Sequence, residues 1–216
     1  MKPTKPNTPK SRGAIFRADM VRKILDGTKT QTRRPILLRD IEPSETTGYD
    51  WDFRDRRAHW NSVTTEQLLK RHPFGKAGDF IYVRETWATN GSPMVAYQAD
   101  GARKTAIPDG DGGTMLLQGE PLFQADRGYL LPPGWGKWRP SIHMPRWASR
   151  IVRRTVEHRV EPLGAIIEAD VHAEGFEDRL HFLAVFRGIY GGSFSDRSPV
   201  WVTVFSDQNE QLPEST

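Results

Sequence analysis

Met20, Val21, Ile24 and Leu25 fall on one face at helical spacing, which predicts a helix over 19–26 that Gly27 is placed to end. A short strand over 14–17 precedes it. The segment Thr28-Lys29-Thr30-Gln31-Thr32-Arg33-Arg34-Pro35 favours extended chain, with Pro35 closing it. A turn at Gly78-Asp79 leads into a strand over 80–87, and 93–99 is a plausible partner strand. Over 150–160, Val152, Val156 and Val160 alternate with Arg153, Glu157 and Arg159, the pattern of a strand with one core face and one wet face. Arg154 and His158 interrupt the apolar face, which marks either a barrel end or a site. Helices follow over 166–174, stopped by Gly175, and over 177–189. The run Val200-Trp201-Val202-Thr203-Val204-Phe205 supplies a final strand. Strand–helix alternation of the doubly wound kind is missing, so the expected class is α+β: a small mixed β-barrel with flanking helices.

Two stretches break this pattern. Residues 39–72 are polar and rich in Asp and Arg, and residues 100–137 are Gly-rich; both read as long loop insertions outside the barrel. The Pro/Lys/Thr-rich start and the polar end read as mobile tails. The expected organisation is a basic tail over 1–12, a single domain over 13–205 and a second tail over 206–216.

Among 216 residues, 31 Lys and Arg against 27 Asp and Glu give a formal charge of +4, which permits an anionic partner without demanding one. The absence of cysteine excludes disulfides, thiolate zinc sites and Cys nucleophiles. The histidines, at 59, 72, 143, 158, 172 and 181, show no short metal-ligand spacing. No metal and no cofactor is expected. No apolar run approaches the roughly 18 residues of a membrane span, and no apolar segment follows the basic N-terminus as in a secretory signal. The expected location is cytoplasmic.

Four segments in order carry a family resemblance. The helix followed by Gly27-Thr28-Lys29-Thr30-Gln31-Thr32-Arg33-Arg34 resembles the helix and G-x-K-T-x-T-x-R signature of ASCH domains. Gly78-Asp79 and Val83-Arg84-Glu85-Thr86-Trp87 resemble the G-D and V-R-E-T-W strand of their phage and prophage branch. Ile142-His143-Met144-Pro145-Arg146-Trp147-Ala148-Ser149-Arg150 and the helix ending His172-Ala173-Glu174-Gly175 complete the order. Each segment alone is weak, but the ordered set reaches both ends of 13–205. The resemblance implies a PUA-like barrel that holds a modified nucleoside or single-stranded RNA. Some small members of the family hydrolyse the acetyl amide of N4-acetylcytidine, and another is described as a ribonuclease. Fold alone does not choose among these activities.

In the hydrolytic members a Lys and a Thr at this spacing, with a Glu, are held responsible. The resemblance carries those roles to Lys29, Thr32 and Glu174. Amide hydrolysis needs a nucleophile, a group that moves its proton, and positive charge or donors at the developing oxyanion. Thr32 would attack or position water, Lys29 would act as base if desolvated or as oxyanion partner if charged, and Glu174 would shuttle the proton. In a regular strand residues i and i+3 face opposite ways, so Lys29 and Thr32 cooperate only across a turn or bulge.

Glu85 is the rival carboxylate, either catalytic or an ion-pair partner on its strand. Arg33 and Arg34 read equally as phosphate contacts or as a salt-bridged strand end. Arg84, Arg146 and Arg150 are further candidates for substrate or nucleic-acid contacts. Trp147, between Arg146 and Arg150, is either core or a platform for an unpaired base. Trp87 reads as core, whereas Trp135 and Trp138, in the Gly-rich insertion, read more readily as exposed. Three functions remain open: hydrolase of an N4-acylcytidine, non-catalytic RNA or modified-base reader, and ribonuclease.

Overall fold

The computed structural model describes residues 8–91, 94–108, 114–125 and 128–210. Five segments far apart in sequence form its central sheet: β1 (Ser11–Ile15), β2 (Gln31–Pro35), β6 (Phe80–Arg84), β13 (Val152–Pro162) and β14 (Pro199–Phe205). Their order is β1-β6-β13-β14-β2. The β1–β6 pair is parallel and the other three pairs are antiparallel. Helices α1 (Ala18–Leu25), α3 (Glu168–Ala173) and α4 (Arg179–Tyr190) contribute Val21, Ile24, Val171, Phe182 and Phe186 to one core with Ile81, Ile151, Val200 and Val202. The helical face expected for α1 is buried at Met20, Val21 and Ile24, and Leu25 lies outside it.

The sheet does not close. Its edges are β1 and β2, and a side chain spans them: Arg34 Nη2 donates to the Ile15 carbonyl at 2.6 Å. The Arg34 guanidinium also lies over the Phe16 and Phe74 rings, 5.2 and 5.6 Å from their centroids. The expected barrel, closed or nearly closed, is therefore corrected on closure: the sheet is mixed and open. One physical reason is that β2 is short and ends in Pro35, which has no N–H to extend a ladder.

Both insertions are also corrected, because neither is a long loop. Residues 39–72 fold into the antiparallel meander β3 (Arg39–Pro43), β4 (Trp51–Arg54) and β5 (Trp60–Val63), followed by α2 (Thr65–Leu69). A capping box between Thr64 and Gln67 starts α2. Leu68 is fully buried with Ile36, Trp51 and Trp201, so this segment builds part of the core. In the second insertion, β9 (Arg103–Pro108) and β10 (Thr114–Gln118) extend β7 (Trp87–Thr89) and β8 (Met94–Tyr97) into a four-stranded sheet, order β10-β9-β8-β7. The pair β11 (Gln124–Ala125) and β12 (Gly128–Tyr129) follows. Trp135 is buried here with Leu122, Ala88 and Ala96, against its expected exposure. The high polar and glycine content had masked a few widely spaced apolar anchors.

The alternation expected over 150–160 is broken as well. Val156 is 56% exposed, while Arg153 and Thr155 are buried. A register shift between Thr155 and Glu157 in the ladder with β14 marks a bulge, and an extra residue reverses inward and outward parity beyond it. Arg153 donates to the Ile24 carbonyl and to Asn209 Oδ1, both at 2.9 Å, while its buried Nε has no partner among the described residues. Order extends past the expected domain limits: β1 starts at Ser11, and Glu210 N–H donates to the Val152 carbonyl at 3.0 Å. Residues 1–7 and 211–216 of the expected tails lie outside the described residues. Among the described residues no helix is long and apolar enough to cross a membrane.

Candidate functional site

Gly27 adopts φ +82°, which favours glycine and lets the chain turn sharply out of α1. Lys29 N–H then donates to the Lys23 carbonyl at 2.8 Å, and Thr30 N–H to the Ala173 carbonyl at 2.9 Å. These bonds tie the approach to β2 to the last turn of α1 and to the end of α3. Lys29 Nζ donates to the Glu174 carbonyl and to Glu174 Oε2, both at 2.8 Å. Lys29 and Glu174 are each only 3% exposed. Burial lowers the Lys29 pKa, and the Glu174 charge and hydrogen bond oppose that shift without reversing it.

The pair belongs to a larger network. Arg33 Nη1 donates to Glu174 Oε1 at 3.5 Å, and Arg33 Nη2 to Asp170 Oδ2 at 2.8 Å and to Glu161 Oε1. Arg159 Nη2 donates to Asp170 Oδ1 at 3.0 Å, and Arg159 Nε to Glu161 Oε2 at 3.0 Å. Burial alone would raise the Asp170 carboxyl, but Arg33 and Arg159 outweigh it and hold the pKa below its ordinary value. Lys29, Arg33 and Arg159 thus face Glu161, Asp170 and Glu174, and their charges cancel.

Thr32 stands apart. Gln31 and Arg33 point toward α3, so strand alternation turns Thr32 to the opposite face of β2, across from Thr203. Neither Lys29 nor Glu174 hydrogen-bonds to Thr32 among the described residues. The expected trio is therefore corrected to a pair, because Gln31–Pro35 is regular strand with no bulge to bring Thr32 round.

The Thr32 face carries a cluster that the sequence signalled only through His158. Phe74 N–H donates to His72 Nδ1 at 3.1 Å, which places the His72 proton on Nε2. That proton points to Thr203 Oγ1 at 3.3 Å, so the Thr203 hydroxyl in turn donates to His158 Nδ1 at 3.2 Å. The two imidazoles lie 3.9 Å apart between centroids. Burial pushes the His72 pKa down to about 3, with the His158 and Arg12 charges adding to it. Burial lowers His158 as well, and its other neighbours, chiefly the Lys76 backbone, only partly oppose it.

The remaining candidates divide by what their charges already hold. Glu85 accepts from Arg150 Nε at 2.9 Å and Nη2 at 3.1 Å, while Arg150 Nη1 donates to Asp100 Oδ2 at 2.7 Å. Arg150 also stacks over Tyr97, 4.2 Å from the ring centroid. Glu85 is thus an ion-pair partner. Of the two readings of Arg33, the fully buried side chain takes the salt-bridged one, and Arg150, expected at a substrate or nucleic acid, is corrected to an internal counter-ion, since each is matched by carboxylates. Arg84 donates to the Met144 and Ile142 carbonyls, as Arg34 does to Ile15. Arg146 lies half-buried over Tyr82. Trp147 is 41% exposed and meets the buried Trp87 edge-on at 6.1 Å, while Arg139 lies over the Trp87 ring. Trp138 is half-buried and donates to the Tyr129 carbonyl at 3.3 Å.

Two open grooves lie elsewhere. One, of about 970 Å³, runs past Glu42, Asp52 and Asp196; the other, of about 520 Å³, past Arg12, Asp79 and His158. Neither is lined by Lys29 or Glu174. Among the described residues no group of three or more His, Cys, Asp or Glu is placed to hold a metal ion.

No family model matches the chain, and no curated protein matches it. Among solved structures, it is similar to protein EF3133 from Enterococcus faecalis V583, described by the family model DUF984. The likeness covers 93% of this chain and 80% of that one at 12% identity, with a TM-score of 0.37, too distant to carry a fold or a function across.

Proposed function

We propose that this chain is an ASCH-type, PUA-like hydrolase of a modified nucleoside, cleaving the amide of N4-acetylcytidine or a related N4-acylcytidine. One observation carries the reading. Lys29 and Glu174, two of the three positions that the family resemblance singles out and 145 residues apart in the chain, meet at 2.8 Å with both side chains buried. A lysine whose charged form is disfavoured by burial and a carboxylate beside it form a proton-moving pair. Water adds to the acyl carbon as Glu174 takes its proton, while Lys29 donates to the developing oxyanion. The C–N bond then breaks, and the proton passes to the departing N4 to give acetate and cytidine. Entry of the substrate requires the turn at Glu174 and Gly175 to part from Lys29.

The test is acetate release from N4-acetylcytidine. Glu174→Gln should lower the rate about 10²–10⁴-fold, the usual worth of acid–base help, and Lys29→Met at least as much. Thr32→Ala, on the other face of β2, should cost far less. Thermal melts of each variant separate lost chemistry from lost fold. Absence of turnover by the wild type, or full activity of Glu174→Gln, overturns the reading.

A second reading has its own observation. Trp147 is exposed next to Arg146 in sequence and meets Trp87, over which Arg139 lies; an exposed ring with arginines nearby is the combination that stacks an unpaired base while holding its backbone. A non-catalytic reader of single-stranded RNA would use that surface and leave Lys29 as a structural ion pair.

A further inference from the structure

The edges of the sheets are not equally protected. β2 carries Arg33, Arg34 and Pro35. β3 carries Arg39, Asp40, Glu42 and Pro43 and is bulged against β4. Charge, proline and bulges are the devices that keep an exposed strand edge from pairing with another chain. β10, at the end of the four-stranded sheet, has none of them: Thr114-Met115-Leu116-Leu117-Gln118 is uncharged, lacks proline and pairs with β9 without a register shift. Met115 and Leu117 share one face and are 47% and 46% exposed.

The ladder identifies which backbone groups of β10 are left unused by β9. Gly119 N–H donates to the Arg103 carbonyl at 2.8 Å, continuing the register in which Gln118 faces Lys104. In an antiparallel ladder hydrogen-bonded and non-bonded pairs alternate, so Leu117 and Met115 bond to β9, while Thr114, Leu116 and Gln118 turn their N–H and C=O outward. Pro108, opposite Thr114, fits this phase, since its missing N–H would have pointed away from β10. The sequence of the outward edge is self-complementary. Two copies related by a two-fold axis through Leu116 place Leu116 opposite Leu116, Thr114 opposite Gln118 and Met115 opposite Leu117. That register aligns all the outward groups of one copy with those of the other and joins apolar to apolar on the exposed face.

We propose that β10 is a homodimer interface, in which two chains pair antiparallel through this strand into a continuous eight-stranded sheet. A second copy is the occupant because the edge is complementary to itself in hydrogen-bond phase, side-chain character and lack of charge. The paired strand is short, so the contact belongs to the small, transient class of interfaces and depends on concentration.

Sedimentation of the full chain from about 5 to about 200 µM should show mass rising from monomer toward dimer, as expected for micromolar association. Leu116→Pro removes an outward donor that β9 does not use and should weaken association at least ~10-fold with the fold retained by circular dichroism. Met115→Lys and Leu117→Glu should each weaken it alone. Mixed together they should restore it, because the two-fold register sets residue 115 opposite residue 117. A wild type monomeric throughout overturns the proposal, as does a dimer indifferent to Leu116→Pro or a mixture that fails to restore association.

Discussion

His72 is held neutral by the fold, and acid should expose that. Its imidazole gives up an ordinary pKa of 6.5 for a folded value of about 3, mainly through burial. Because the folded value is depressed, the unfolded chain binds the extra proton. Stability is therefore fully present above about pH 6.5 and is lost progressively as pH falls toward about 3. From about pH 7 to about pH 5, the unfolded imidazole goes from mostly neutral to almost fully protonated while the folded one scarcely changes. That difference is worth about 2 kcal/mol. The figure depends only on the folded pKa staying below about 4, so it holds even if residual hydration softens the shift. Protonating the folded state would also destroy the acceptor for Phe74 N–H and break the chain through Thr203 to His158. His72→Asn keeps an oxygen able to accept from Phe74 N–H but cannot titrate. Urea denaturation at both pH values should show the wild type losing about 2 kcal/mol more than His72→Asn. Equal losses in the two proteins would refute the assignment of His72 as a buried neutral group.

Three other outcomes follow from the packing. Arg33→Met strips Glu161, Asp170 and Glu174 of a shared buried counter-ion and should destabilise by about 3–5 kcal/mol in chemical denaturation. Leu68→Ala should cost about 2–5 kcal/mol if residues 39–72 belong to the core, whereas a value near zero would mean that the meander folds independently. Trp147→Ala should abolish any binding of labelled single-stranded RNA, and that binding should weaken steeply between about 50 and 200 mM salt. Retained binding in Trp147→Ala would move the contact surface elsewhere.

Local order was legible where one period ran unbroken. The helix ended by Gly27, the helix stopped by Gly175 and the strand through Trp201 all lie within a few residues of their expected places. What failed is non-local. A bulge at Val156 changes nothing in composition yet reverses which residues face inward, so Arg153 entered the core unannounced. The fate of each arginine depends on which carboxylate the fold delivers: Arg33 meets Asp170 across 137 positions and Arg150 meets Glu85 across 65. No spacing rule reports such pairs. The insertions misled because Trp51, Leu68 and Trp135 are few among many polar and glycine residues, yet each is buried. At the candidate site, resemblance brought forward Lys29 and Glu174. The strand periodicity that separates them from Thr32 was available from the start and carried the better physics.

The guanidinium that bridges β1 and β2 makes the two margins of the central sheet separable without rupture of any interstrand ladder. The Arg34 hydrogen bond and its two ring contacts open by rotamer change, at smaller cost than peeling a strand from a ladder. Amide exchange should therefore be graded across the sheet. It should be slowest in the middle strands β13 and β14 and fast along the outer margin of β2, the edge strand.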